Sequence, residues 1–315
     1  RNSVPSGVTG FGNLEANRAE AAKIRASWED LPNAKAGETA PMLESFGAKP
    51  EKSLAQNGIS FYRMRGGGGK IWFAANLSGK FSRGKIRLSS DGGGDYAYYS
   101  PLTGESMRLA QSGGEFELAL APGESCFLAE SEEKSPKPDA FPRTAAKIPI
   151  KGEWTIDFLR PAPDGGGQEL PPQIKARELK SWTELGGKAA QSFGGFARYS
   201  AEFSLSGAGA EYAIDIGDPR DRASVYINKK KVADIWCAPF RAKIPAGILK
   251  DGRNLLEIEV ANSSFNRVRV LAAKNPDWNR ANNIFDITYG KFEPEKKPPE
   301  PSGLLGEVFL EKLSK

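Results

Sequence analysis

Glu153-Trp154-Thr155-Ile156-Asp157-Phe158-Leu159 alternates polar and apolar side chains. Successive side chains of an extended chain point to opposite faces, so this stretch predicts a β-strand with one buried face. C-terminal to it, further strands are expected over residues 196–205, 211–216, 223–228, 231–236, 241–244, 255–260 and 307–310. Asn228-Lys229-Lys230 and Asp251-Gly252-Arg253-Asn254 read as tight turns between them. Eight or so antiparallel strands at this spacing predict a jelly-roll sandwich.

The same texture lies N-terminal to that region. Strands are expected over residues 59–64, 70–77, 85–89, 95–99, 107–110, 115–120 and 125–129, enough for a compact sandwich of about seven strands. Pro101-Leu102-Thr103-Gly104 and Ala121-Pro122-Gly123-Glu124 supply turns. The four glycines at 66–69 are not followed by Gly-Lys-Ser/Thr, and the next element is a strand, so they read as a hairpin loop and not as a phosphate loop. Glu130-Ser131-Glu132-Glu133-Lys134-Ser135-Pro136-Lys137-Pro138-Asp139-Ala140-Phe141-Pro142 is a polar, proline-rich linker. Ahead of all this, residues 14–28 are rich in Ala, Glu, Lys and Arg and predict a helix, and Met42, Leu43 and Phe46 a second short one. The expected organisation is therefore all-β: two tandem antiparallel β-sandwiches behind a short helical N-terminal lead-in. The lead-in covers residues 1–55, the small sandwich 56–132, the linker 133–147 and the jelly roll 148–315.

Composition bounds the chemistry. The 315 residues are 39% hydrophobic and 10% aromatic, which suits a globular chain, and 35 glycines with 22 prolines suit many turns. Net charge is +5 with both signs interleaved, so no stripe follows a phosphate backbone and no nucleic-acid partner is implied. There is no histidine, which removes Ser-His-Asp triads, Cys-His pairs, His-ligated zinc and an imidazole base. Cys126 and Cys237 stand 111 residues apart, each beside aromatics in a strand-like run, and read as two buried free thiols. No run of 18 apolar residues predicts a membrane span. The opening at Arg1, with neither an initiator Met nor a signal segment, reads as a fragment of a longer chain.

Sugar sites place aromatic faces beside amide, guanidinium or carboxylate groups, because a pyranose has an apolar face and a rim of hydroxyls. Two sets carry such groups. Trp236, Arg241 and Asn262 form one, with the alternative that Trp236 and Phe240 are core and Arg241 pairs structurally. Trp278, Asn279, Arg280, Asn282 and Asn283 form the other, in a long insertion from about 263 to 301, as a glycan contact or an interdomain one. Trp72, Trp154 and Trp182 fall in or beside strand patterns and are expected in the core. Asp215, Asp218 and Asp221 are the densest acidic cluster; Asp218-Pro219-Arg220-Asp221-Arg222 is charge-balanced and reads as a surface turn, a cation site or a catalytic pair being the alternatives. No cofactor is called for, nor any spacing that requires a structural calcium.

Several motifs in order resemble a known family. Gly195-Phe196-Ala197-Arg198-Tyr199-Ser200-Ala201-Glu202-Phe203, Ile214-Asp215-Ile216-Gly217 and Ala223-Ser224-Val225-Tyr226-Ile227-Asn228 are similar to strands of galactose-binding-like jelly rolls, including the sugar-binding domain of glycoside hydrolase family 2. Lys229 stands where that family usually has Gly. Trp236-Cys237-Ala238-Pro239-Phe240-Arg241 and Gly252-Arg253-Asn254-Leu255-Leu256-Glu257-Ile258-Glu259-Val260-Ala261-Asn262 extend the match. Asn266-Arg267 and Pro301-Ser302-Gly303-Leu304-Leu305-Gly306 resemble closing segments of glycoside hydrolase family 106, the α-L-rhamnosidases. Phe61-Tyr62-Arg63, Ala75-Asn76, Tyr99-Ser100-Pro101-Leu102-Thr103-Gly104 and Leu120-Ala121-Pro122-Gly123-Glu124-Ser125 resemble the sandwich preceding the jelly roll there.

The resemblance implies a non-catalytic, carbohydrate-associated accessory region of an exported hydrolase, extracellular or periplasmic. Its partners would be a glycan or polysaccharide and an upstream catalytic domain of the same parent chain, where the family's carboxylates lie. A stand-alone carbohydrate-binding or surface-adhesion module is the alternative.

Overall fold

The computed structural model describes residues 13–29, 41, 43, 45, 49–66, 69–89, 95–109, 111–131, 141–162, 167–275 and 292–314. Among these the chain is mainly β-sheet, arranged as antiparallel sheets.

Seven strands make the first sandwich: β1 (Ser60–Gly66), β2 (Gly69–Ala75), β3 (Ser82–Ile86), β4 (Asp95–Tyr99), β5 (Ser106–Leu109), β6 (Phe116–Leu120) and β7 (Ser125–Ser131). Five of them form a sheet in the order β1-β2-β7-β4-β5, and β3 pairs with β6. Trp72 and Ala74 of β2, Cys126 and Leu128 of β7 and Tyr96 and Tyr98 of β4 point inward, against Ile86, Phe116, Leu118 and Leu120 of the β3–β6 pair. The alternation places every second side chain of the five-stranded sheet on its other face. The strand expected at 85–89 is shifted to Ser82–Ile86, because its partner β6 puts Ile86 opposite Phe116.

The lead-in is helical over Leu14–Glu29, where all but one of the described side chains are exposed. Met42 and Phe46 lie outside the described residues. A further helix, Lys52–Gln56, carries Leu54 into the first core, fully buried. Glu51, 2% exposed, accepts from Trp72 Nε1 (2.8 Å), an Arg63 guanidinium nitrogen (2.9 Å) and Ser89 N (2.8 Å). A buried carboxylate needs such partners, so residues 51–56 are packed into the sandwich that follows them.

Residues 143–314 contain twelve strands among those described. They are β8 (Arg143–Pro149), β9 (Trp154–Pro161), β10 (Ile174–Ala176), β11 (Gly195–Leu205), β12 (Tyr212–Asp215), β13 (Asp218–Arg220), β14 (Arg222–Ile227), β15 (Lys230–Ile235), β16 (Arg241–Lys243), β17 (Gly252–Ala261), β18 (Gly303–Leu305) and β19 (Phe309–Ser314). A six-stranded sheet runs β10-β9-β11-β17-β14-β15 and faces a four-stranded sheet β16-β12-β19-β8, with β13 paired to β18. Ile156, Tyr199, Val225, Ile258, Ile214 and Leu310, all fully buried, fill the space between the two larger sheets.

Four of these strands, β8, β10, β13 and β18, were not expected. The last three have three residues each, too few for a period to show. Strand β8 begins inside the stretch read as linker; its first five side chains are exposed, and it is held by pairing to β19. Helix is also not confined to the lead-in. Trp182–Leu185, Gly187–Gln191 and Phe265–Lys274 are helical, the last within the stretch read as an insertion. Trp72, Trp154 and Trp182 are core, as expected, each 2% exposed or less.

The turn from β14 to β15 is the two residues Asn228 and Lys229, at φ 53° and 66°. Lys229 thus takes the left-handed conformation that glycine adopts at less cost. Asn228 anchors the turn by donating to Ile248 O (2.9 Å) and Asn254 Oδ1 (2.8 Å), and by accepting from Leu255 N.

Candidate functional site

Trp236 follows β15 directly and is 65% exposed, which removes its core alternative. Phe240 of the same segment does pack against the core. Ile235 and Val260 both oppose Ala223, and β15 and β17 run the same way, so Trp236 and Asn262 emerge at one end of the sheet. Two strand spacings separate them, about 10 Å.

Asn262 does not present a free amide there. Its Oδ1 accepts from Gly195 N (2.9 Å), and its Nδ2 donates to Phe193 O (3.0 Å) and Ser302 Oγ (3.0 Å). Asn266 repeats the arrangement from the helix Phe265–Lys274, donating to Glu300 O (2.8 Å) and Ser302 Oγ (3.1 Å) and accepting from Glu300 N (2.8 Å). Ser302 N in turn donates to Ser181 Oγ, and Leu304 N to the Tyr199 hydroxyl. These asparagines close the end of the sandwich and tie down β18.

Arg241 lies in the opposite sheet. Its Nε donates to Glu311 Oε2 at 2.6 Å, while Lys147 Nζ reaches Glu311 Oε1 at 2.8 Å and Asp215 Oδ2 at 3.7 Å. The structural-pairing alternative for Arg241 therefore holds. Burial pushes the Glu311 carboxyl up, but the Lys147 hydrogen bond and the charge and hydrogen bond of Arg241 outweigh it and hold it below the usual range.

The Arg241 charge also reaches Glu124, in the β6–β7 turn of the first sandwich. Glu124 accepts from Ala121 N (2.7 Å) and the Tyr98 hydroxyl (3.3 Å). Burial nevertheless raises its carboxyl above the ordinary value, and burial with the Glu124 charge raises the Tyr98 phenol too. In the same turn, a Cβ on Gly123 would stand 2.7 Å from the Ala238 side chain, and Gly123 has φ +77°. The Trp236–Arg241 segment thus abuts the first sandwich.

Glu124 and Glu311 are displaced in opposite senses, which is the electrostatic signature of an acid–base pair. Here all four carboxylate oxygens accept from protein donors, an arrangement of a structural seam. Cys126 is buried and its thiol pushed up to about 12, whereas Cys237, also expected to be buried, is only half-buried, next to the exposed Trp236. Both are free thiols.

The acidic cluster is dispersed by its own neighbours. Asp218 holds Arg220 at 2.6 Å, and Asp215 accepts from Gly217 N. Among the described residues no three Cys, Asp or Glu side chains gather as a metal site. Trp278, Asn279, Arg280, Asn282 and Asn283 lie outside the described residues. Glu124, Tyr98 and Glu311 were not singled out as site residues in the sequence, because the Tyr98–Glu124 bond and the Lys147 and Arg241 bonds to Glu311 join residues far apart in the chain; only the Ala121 N bond of Glu124 is local.

No family model matches the chain. A "Putative beta-glucuronidase" of Formosa agariphila is 26% identical over 198 residues, 58% of this chain and 16% of that protein. Among solved structures, the rhamnosidase from Novosphingobium sp. PP1Y superimposes with a TM-score of 0.61 at 22% identity, over 94% of this chain and 29% of its own. A GH2 beta-galacturonidase from Eisenbergiella tayi gives a TM-score of 0.34 at 19% identity, over 55% of this chain and 25% of its own. The chain thus spans under a third of the rhamnosidase and about a sixth of the curated relative. No helix among the described residues is long and apolar enough to cross a membrane. The fold is an all-β sandwich architecture that the chain shares with part of that rhamnosidase.

Proposed function

We propose that the chain is a non-catalytic, carbohydrate-associated accessory region of a larger glycoside hydrolase resembling α-L-rhamnosidases. One observation carries this reading: nearly the whole chain, 94%, follows the fold of a 29% portion of a rhamnosidase. On this reading β1–β7 and β8–β19 are two units, joined by the Arg143–Glu117 ion pair, the Arg241 charge beside Glu124 and the close approach of Gly123 to Ala238, and the assembly braces an upstream catalytic domain. The parent protein is exported, to the periplasm or beyond. Of the residues selected for glycan contact and described in the structure, Trp236 is the one with an exposed ring.

The test is hydrolysis of aryl rhamnosides and other aryl glycosides by the purified chain. No turnover is expected. Turnover abolished by a single Asp or Glu substitution in this chain would overturn the proposal.

A further inference from the structure

The stretch read as a linker ends in a joint with almost no slack. Phe141 is 7% exposed and belongs to the core of the first sandwich. Its ring stands edge-on to Tyr98, centroids 5.4 Å apart, and its carbonyl accepts from an Arg83 guanidinium nitrogen at 2.8 Å. Two positions on, Arg143 opens β8 and is already paired with Ser314 of β19, in the second sandwich. Pro142 is therefore the one residue between an anchored side chain of the first unit and a sheet strand of the other. Its ring fixes φ, and it restricts Phe141 before it to extended backbone.

A hinge needs a few residues that absorb changes in φ and ψ. This joint supplies one, with φ locked. It is also held from the side: Glu117 of β6 accepts from Arg83 at 2.7 Å through one oxygen and from Arg143 at 3.2 Å through the other. One carboxylate thus spans both sandwiches. A second attachment involves different strands, where a Cβ on Gly123, in the β6–β7 turn, would meet that of Ala238, between β15 and β16, at 2.7 Å. A body held at one point swivels about it, and a second attachment removes most of that freedom.

We propose that Phe141, Pro142 and Arg143 form a rigid joint, so that the two sandwiches behave as a single body instead of two tethered units. Domains of one chain ordinarily move relative to each other unless their junction prevents it. A surface composed from both sandwiches then keeps its geometry in solution, and whatever meets the chain meets one fixed shape. The inference goes beyond the accessory reading and stands apart from it, since it concerns motion and not activity.

Spin labels at Ser112→Cys in the first sandwich and Ser204→Cys in the second, both exposed positions, report the distance between the units by pulsed dipolar spectroscopy. The full chain is used in a Cys237→Ser background; Cys126 stays, since it is buried and its thiol is raised to about 12. One narrow distance distribution is expected. Inserting Gly-Ser-Gly-Ser after Pro142 keeps the Phe141 anchor and the Arg143 strand while adding slack. It should broaden the distribution by about twofold or more, with strand content unchanged by circular dichroism. A broad distribution without the insertion would overturn the single body. A distribution left narrow by the insertion would overturn the joint and assign the fixed orientation to the Gly123–Ala238 contact alone.

Discussion

Arg241 Nε lies 2.6 Å from Glu311 Oε2, joining the outer strand β16 to β19 across the intervening β12. Glu311 is buried while Arg241 is partly exposed, so the arginine neutralises a carboxylate that the fold has removed from water. Arg241→Met should destabilise the chain by about 1–3 kcal/mol, the range for losing a hydrogen bond to a buried charge, with Lys147 retaining the other oxygen. Urea unfolding checks this. An unchanged midpoint would show that Lys147 alone satisfies Glu311.

Trp236→Ala, by contrast, should move stability by no more than about 0.5 kcal/mol, as for a surface substitution. A buried tryptophan would cost roughly 3–5 kcal/mol. Thermal denaturation separates the two outcomes cleanly.

Gly303 has φ +100°, and a Cβ there would stand 2.1 Å from the Tyr199 hydroxyl and 2.8 Å from the Trp182 ring. Gly303→Ala should cost about 2–4 kcal/mol, combining overpacking with left-handed strain. It should also break the Tyr199 bond to Leu304 N, read as faster amide exchange at Leu304.

Asn262→Ala removes one acceptor and two donors that close the sandwich end. The expected loss is about 1–3 kcal/mol, because Gly195 N is left without its side-chain acceptor. Asn262→Asp should fall between wild type and Ala, since Oδ1 survives and the donors do not. Urea midpoints for the three proteins give the order.

The seam carboxylates predict opposite pH dependences. Glu311 is lowered in the fold, so its contribution is fully present above the unfolded value of about 4.3 and is lost as pH falls through the folded value. The stability gap between wild type and Glu311→Gln should therefore widen from acid to neutral pH. Glu124 is raised, so its contribution is present below about 4.3 and lost as pH rises through the folded value. Any advantage of wild type over Glu124→Gln should shrink or reverse over the same range. Urea midpoints across a pH series test both signs, and parallel profiles for the two variants would contradict the assignment.

The sequence by itself determined the strands that carry a period. The alternation of Glu153 to Leu159 became β9, with Trp154, Ile156 and Phe158 buried, because one-face burial writes a two-residue pattern into the local chain. The burial of Trp72 in β2 was legible for the same reason, whereas Trp182 is buried from a short helix and the turn after β14 was read from its residue types. Tertiary structure alone decided the rest. It exposed Trp236, consumed the Asn262 amide in closing backbone, and paired Arg241 with a residue 70 positions away. These are facts of register between strands distant in sequence. Side-chain alternation says which face a residue takes, and only pairing says which residue stands beside it.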